Sequence, residues 1–535
     1  MNWFEKMAMI LIAVIWLEGG SAHGQDANKR GGDLMYAEDE PAGSFNPYDM
    51  SISIPTSDRI FSLIYEPLVR YDVDRNVFAH VLAETSYIAP DRKKITFMLR
   101  KNVLWHDGTP FTAADVKFTY EYLQTKERFK RKYSHITAMN EEGPYTIHFV
   151  FTSAQAEPLV SFTRVIIPRH RFGEHFTNLV DKPLHKVPIG TGAYAFRNMT
   201  LDLQVGLSLN DTYWSSPANL FNLDMIPFVD PEGKKNSLTF GRVGLIVELD
   251  AKYIAEFAQQ RKFITKPYSS FSFDALAYNF QHALLRDVTV RRAMTMALNR
   301  KSLLETWYFG KGEELAGPIV SLSPYYYADL RPLPYDPVRA SAMLDSAGYR
   351  DVDSDGIRER VTDKTKMKFT LVVPVDREAQ STSTQQVANS FAEAMSKIGI
   401  AITMEHLNRD VYDQRMLVER TFDIIWVRWE FDAAYNIRDL FDSREIYPQG
   451  KNCISYKDPL VEDLIKRFAN ASDPAYRVGI MHALQQKLRD DCPYTFLYSI
   501  NYMAVYHYRL QLSRIDPYYF FTFLPEWYIP AEWRH

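Results

Sequence analysis

Hydrophobic and polar positions alternate between Ile95 and Arg100, with Ile95, Phe97 and Leu99 set against Thr96, Met98 and Arg100. A period of two predicts a half-buried strand. His106-Asp-Gly-Thr-Pro110 then supplies turn chemistry. Thr112, with Asp115 three positions on, predicts a reciprocally capped helix start. Val116, Tyr120 and Leu123 follow at helical spacing, so that helix has one core face. The same periodicity predicts helices over 57–71, with Ile60, Leu63, Ile64 and Leu68 on one face, and over 288–304, 380–398 and 459–468. Residues 369–374 and 422–427 are unbroken apolar runs, which suit strands buried on both faces. Residues 274–280, 496–506 and Thr146–Phe151 are strand-like. Between about 270 and 490 strands alternate with helices, which predicts an α/β unit with a mostly parallel sheet.

A chain of 535 residues exceeds what one hydrophobic core supports, so two or three domains are expected. A net charge of −4 gives no basic footprint, and nucleic acid is not an expected partner. Aromatic content of 14% suits a well-filled core and leaves room for an aromatic-walled cleft. Lys6 precedes an apolar run over 7–17 that is too short to span a bilayer, and Ala22 and Gly24 suit a signal-peptidase site. Residues 1–24 are therefore expected to be a cleavable signal peptide, and the mature protein to be exported. The two cysteines, Cys453 and Cys492, lie far apart; an oxidising compartment permits a bridge between them, and their spacing leaves both states open.

Enzyme signatures do not emerge. His170 to His175 carries one residue too many for an inverted zinc motif, and no Gly-x-Ser-x-Gly elbow occurs. Gly190-Thr-Gly-Ala-Tyr194 lacks the Lys-Ser/Thr ending of a phosphate loop, so its glycines point to backbone tightness before a strand. Asp351, Asp353 and Asp355, followed by Gly356, open like a calcium loop, but Thr362 stands where a bidentate Glu is needed. An acidic surface turn is the competing reading of that stretch. No cofactor is expected.

The order of letters in Trp105-His-Asp-Gly-Thr-Pro-Phe-Thr-Ala-Ala-Asp115-Val resembles the signature of the family 5 extracellular solute-binding proteins of ABC importers, the oligopeptide- and dipeptide-binding proteins among them. Gly190 to Tyr194, Arg286 to Arg300, Tyr335 to Tyr349 and Ser455 to Ile465 match the same family in the same order. The resemblance implies an α/β, bilobed periplasmic-binding-protein fold of the large class, two mixed-sheet lobes joined by a two-strand hinge. Lobe 1 would comprise 25–70, 190–270 and 491–535, with 71–189 as its extra subdomain, and lobe 2 would comprise 271–490. Crossovers are then expected near 270 and 490, and solute would be enclosed by hinge closure.

What the resemblance further implies is a periplasmic monomer that captures an oligopeptide-like solute without bond-making and delivers it to an inner-membrane ABC permease complex. A non-peptide solute such as an oligosaccharide, and a secreted hydrolase, are the alternatives. Peptide-binding members fix the ligand's amino group with an aspartate three residues after a tryptophan. Trp429-Glu-Phe-Asp432 has that spacing, although Ala433 stands where the family usually has proline. Asp432 either anchors an ammonium by a charge-assisted hydrogen bond or caps a helix starting at Ala433. Trp429 either meets ligand or joins the core. Tyr278 and Asn279, at the first crossover, and Phe45 and Asn46, on a first-lobe loop, are further candidates.

Overall fold

The computed structural model describes residues 28–48, 55–172, 187–375, 382–431, 435, 437–448, 450–517 and 519–534. The expected signal peptide and Asp432 lie outside them.

Two large sheets carry the architecture. The first runs Phe263–Tyr268, Tyr502–His507, Leu245–Ile246, Asp33–Glu38, Asn222–Pro227, Val205–Leu209, Tyr194–Met199. The second runs Gly312–Glu314, Tyr494–Ile500, Ser272–Tyr278, Ile424–Glu430, Lys368–Val375, Ala401–Asn408. In the first sheet Asp33–Glu38 pairs parallel with neighbours on both sides. In the second, Lys368–Val375 does the same. A central strand whose parallel neighbours are reached in opposite directions leaves a crevice at the carboxyl ends of the strands. Each sheet has one such point.

The chain passes between the sheets twice. The first passage lies between Tyr268 and Ser272, as the change of pattern near 270 predicts. The second lies at Asn501, later than the expected 490. Tyr494–Ile500 pairs with Ser272–Tyr278 in the second sheet, and Tyr502–His507 pairs with Phe263–Tyr268 in the first. Residues 491–500 therefore belong with the second sheet. The apolar runs at 369–374 and 422–427 do become central strands, with Leu371, Val372, Ile424 and Ile425 wholly buried.

Two expected helices are shorter than their periodicity. The first spans Pro55–Ile64, because Pro67 lacks a donor and disfavours helix in the residue before it. The chain instead enters the strand Val69–Asp72. The second divides into Val288–Ala297 and Arg300–Tyr308. There Asn299 accepts the Ser302 N–H at 3.0 Å and starts a new helix. Cys453 and Cys492 are both buried free thiols, so no bridge joins them.

A third, four-stranded sheet runs Ala83–Ile88, Lys94–Leu99, Thr146–Phe151, Ile136–Glu141. It packs on the helix Ala113–Thr125, whose Val116, Tyr120 and Leu123 are wholly buried as their spacing requires. Asp115 is the hub of the signature stretch. Its carboxylate accepts the N–H groups of Thr112 (2.9 Å) and Arg169 (3.0 Å) and faces the Trp105 indole at 3.4 Å.

His106 joins this unit to the first sheet. Gly190 N–H donates to His106 Nδ1 at 3.2 Å, and Nε2 lies 3.0 Å from the Gly192 carbonyl. That pattern fits a neutral ring protonated at Nε2, and burial lowers the His106 pKa in the same sense. A Cβ on Gly190 would sit 1.7 Å from the Ile64 carbonyl oxygen, so only glycine fits. The buried Glu66 completes the joint by accepting from Thr191 (2.9 Å), Tyr213 (2.8 Å) and Trp214 (2.8 Å).

Candidate functional site

The carboxyl ends of the two switch-point strands define the site. On the first sheet Asp33–Glu38 ends in Glu38, wholly buried. Arg59, on the helix Pro55–Ile64, grips it through two hydrogen bonds of 2.6 and 2.8 Å and reaches Glu248 at 2.9 Å. Burial raises the Glu38 pKa, and the Arg59 guanidinium opposes that rise. Lys234 pairs with Asp39 and donates to the Glu248 carbonyl at 2.6 Å. These cations and carboxylates are committed to each other, which makes a stiff polar floor.

On the second sheet Ile424–Glu430, the parallel neighbour of the switch-point strand Lys368–Val375, presents Arg428, Trp429 and Glu430 at its carboxyl end. Arg428 makes a two-pronged pair with Asp274 at 2.7 and 2.8 Å, across the antiparallel partner strand. Glu430 keeps solvent access yet sits in crowded surroundings. Its carboxyl is pushed up to about 7, first by burial, then by the carboxylates of Asp58 and Glu248, with Arg59 and Arg428 opposing. Asp58, Arg59 and Glu248 belong to the first sheet's side, so this strand end faces the first lobe's polar floor across the crevice.

Beside it lies a pocket of about 140 Å³, walled by Val375, Thr384, Arg409, Tyr412, Trp426 and Trp429. Trp429 is half-buried. It lines the pocket and also packs against the second lobe's core. Its ring lies 5.9 Å from the Lys451 ammonium.

Tyr278 and Asn279 are placed elsewhere. The strand Ser272–Tyr278 pairs Ser272 with Glu430 and Tyr278 with Ile424, so Tyr278 lies at the edge away from the crevice. At about 3.3 Å per residue that is about 20 Å from the crossover. Tyr278 is wholly buried with its hydroxyl 2.5 Å from Thr495, and the Asn279 amide donates to the Arg420 and Phe422 carbonyls at 3.1 and 2.7 Å. Both are structural there.

Phe45 is core, set edge-on to Phe196 at 5.1 Å. Asn46 folds its loop by accepting the Tyr48 N–H at 3.0 Å, and its amide nitrogen has no partner among the described residues.

The acidic loop lies outside the crevice, against the small sheet of Tyr349–Arg350, Glu359–Arg360 and Thr365–Lys366. Carboxylate oxygens of Asp351, Asp353 and Glu359 come within 4.8 Å of one another. The Lys366 ammonium stands among the loop's acceptors, 2.5 Å from Asp353, 3.0 Å from Asp355, 3.1 Å from Glu359 and 3.4 Å from the Ile357 carbonyl. The acidic turn thus carries a cation of its own.

Sequence alone did not single out Glu38, Arg59, Glu248, Arg428 or Glu430. The groups that Glu38 meets come from distant segments, which no local pattern joins.

Two α/β sheets joined by paired crossovers, with facing switch points, define the bilobed class of binding proteins. The sequence profile of "Bacterial extracellular solute-binding proteins, family 5 Middle" matches residues 78–443, and the chain belongs to that family. It is 25% identical over 523 residues to the oligopeptide-binding protein AppA of Bacillus subtilis (strain 168), covering 93% of this chain and 94% of that one. The structure of AppA from Bacillus subtilis in complex with a nonapeptide superposes with a TM-score of 0.82 at 23% identity, over 94% of this chain and all of that one. NikA from Brucella suis in complex with Fe(III)-EDTA also gives a TM-score of 0.82, at 22% identity, over 93% of this chain and 99% of that one. The protein is therefore an extracytoplasmic solute-binding component of an ABC importer.

Proposed function

We propose that the protein captures an oligopeptide-like solute in the crevice between its lobes and delivers it to an inner-membrane ABC permease, acting as a periplasmic monomer after loss of residues 1–24. The supporting observation is the facing pair of switch points, with a polar floor on one lobe and the Trp429 pocket on the other. The likeness to an oligopeptide-binding protein supports peptide as the solute. In this reading the crevice binds an extended backbone by main-chain hydrogen bonds, and Asp432, just beyond Trp429, takes the peptide's ammonium. Nothing in the role requires bond-making, since the release of solute is driven by the partner transporter.

Calorimetric titration with tri-alanine through penta-alanine tests this. Saturable binding that is lost on N-acetylation supports both the peptide and the amine anchor. Binding that survives acetylation keeps the peptide and removes Asp432 as anchor. No binding across the series, with oligosaccharides binding instead, moves the solute to another class.

A further inference from the structure

The third-sheet unit is fastened to the first lobe by the His106–Gly190 joint and by the Ile166 N–H, which donates to the Glu66 carbonyl at 2.8 Å, so it moves with that lobe. Its other side touches the second lobe. Glu157, just past the strand Thr146–Phe151, places Oε2 at 2.8 Å from Arg477 Nη2 on the helix Pro474–Asp491. Arg477 is only 5% exposed and is set in place by its own lobe. Its Nε donates to the Tyr325 hydroxyl at 3.0 Å, its plane lies 4.1 Å over the Phe468 ring, and the Phe468 and Ala471 carbonyls stand at 3.4 and 3.5 Å. The Tyr325 hydroxyl in turn donates to Glu157 Oε1 at 3.4 Å. Both carboxylate oxygens of one lobe thus meet a preformed donor pair of the other.

A second contact repeats the theme. Arg131, from the helix Glu127–Tyr133 of the third-sheet unit, lies 3.3 Å from Glu445, donates to the Arg444 carbonyl at 3.2 Å and covers the Tyr447 ring at 4.5 Å. Val73 also packs on the second lobe's core.

We propose that Glu157 on Arg477 and Tyr325, with Arg131 on Glu445 as its second point, is a latch that holds the lobes closed without solute and so sets how tightly solute is retained. The inference deepens the two-lobe binding reading and rests on it. The latch is made of groups from both lobes, so making it favours the closed arrangement directly. A solute that needs the closed form binds with an apparent Kd equal to the intrinsic value divided by the closed fraction. Raising that fraction therefore tightens binding, and breaking the latch weakens it.

The test is small-angle scattering on protein stripped of solute by unfolding and refolding. The wild type is expected to scatter as the closed form. The double variant Glu157→Gln, Arg131→Gln is expected to expand toward an open two-lobed form at unchanged secondary structure, with tri-alanine affinity reduced about tenfold. Both side chains are partly exposed, and Arg131→Gln alone provides a milder variant with the same direction of change. Wild-type protein that is already open when stripped, or variants that scatter and bind as the wild type does, would overturn the latch. Expansion of the variant with tri-alanine binding to neither protein would uphold the latch and reject the peptide reading instead.

Discussion

Glu430 and Arg428 stand two residues apart at one strand end, yet their charges are handled differently. Arg428 is answered by Asp274 within its own lobe, whereas Glu430 faces carboxylates of the other lobe. Its ordinary pKa is 4.5 and its folded value is about 7, so the folded chain holds an extra proton between those limits. Stability conferred by that proton is present at low pH and is lost as pH rises through the window. Glu430→Gln should abolish this slope: melting temperatures of wild type and variant, compared from about pH 5 to 8, should diverge in the variant's favour. Parallel curves would mean that Glu430 titrates normally. A separate expectation concerns Asp432: if it anchors a buried ammonium, Asp432→Ala should weaken peptide binding by about 2–5 kcal/mol by calorimetry. Unchanged affinity would assign it to capping.

Among the elements, the signature stretch emerges as a joint that builds the crevice's frame. Its readable part was local: Thr112 and Asp115 sit within one turn, and periodicity placed Val116, Tyr120 and Leu123 correctly. Periodicity does not weigh interruption, so it carries the helix after Pro55 past Pro67, and the helix from Val288 past Asn299. Nor could it follow a strand across its sheet. Tyr278 is close to the crossover in sequence, but seven extended residues carry it to the opposite edge.

The joint's tightness gives a direct test: Gly190→Ala should destabilise by about 2–4 kcal/mol in urea unfolding, because the new methyl meets the Ile64 carbonyl. A neutral result would mean the joint yields. The acidic loop has its own test. With Lys366 among its acceptors, wild-type melting should ignore calcium and chelator alike, while Lys366→Met should melt lower and recover with calcium. Calcium stabilisation of the wild type would show that metal displaces the lysine.

Across the whole molecule, the two-lobe plan was legible because motifs spread along the chain keep one family's order. The crossover near 270 was legible because the pattern changes there. The one at Asn501 was not, since Tyr494–Ile500 and Tyr502–His507 form one uninterrupted strand-like run that changes sheets midway. The polar floor was hidden for a similar reason: Glu38, Arg59 and Glu248 meet only after folding. Together these features describe a crevice whose shape comes from two switch points and whose closure is assisted by the Glu157–Arg477 contact between the lobes.

The central claim is that this crevice carries an oligopeptide-like solute. Native mass spectrometry on the protein taken from its own host, followed by denaturation to identify what is released, tests it most directly. A ladder of short peptides leaving the protein is the predicted result. A single non-peptide mass would contradict the claim, while leaving the fold and the two-lobe mode of capture in place.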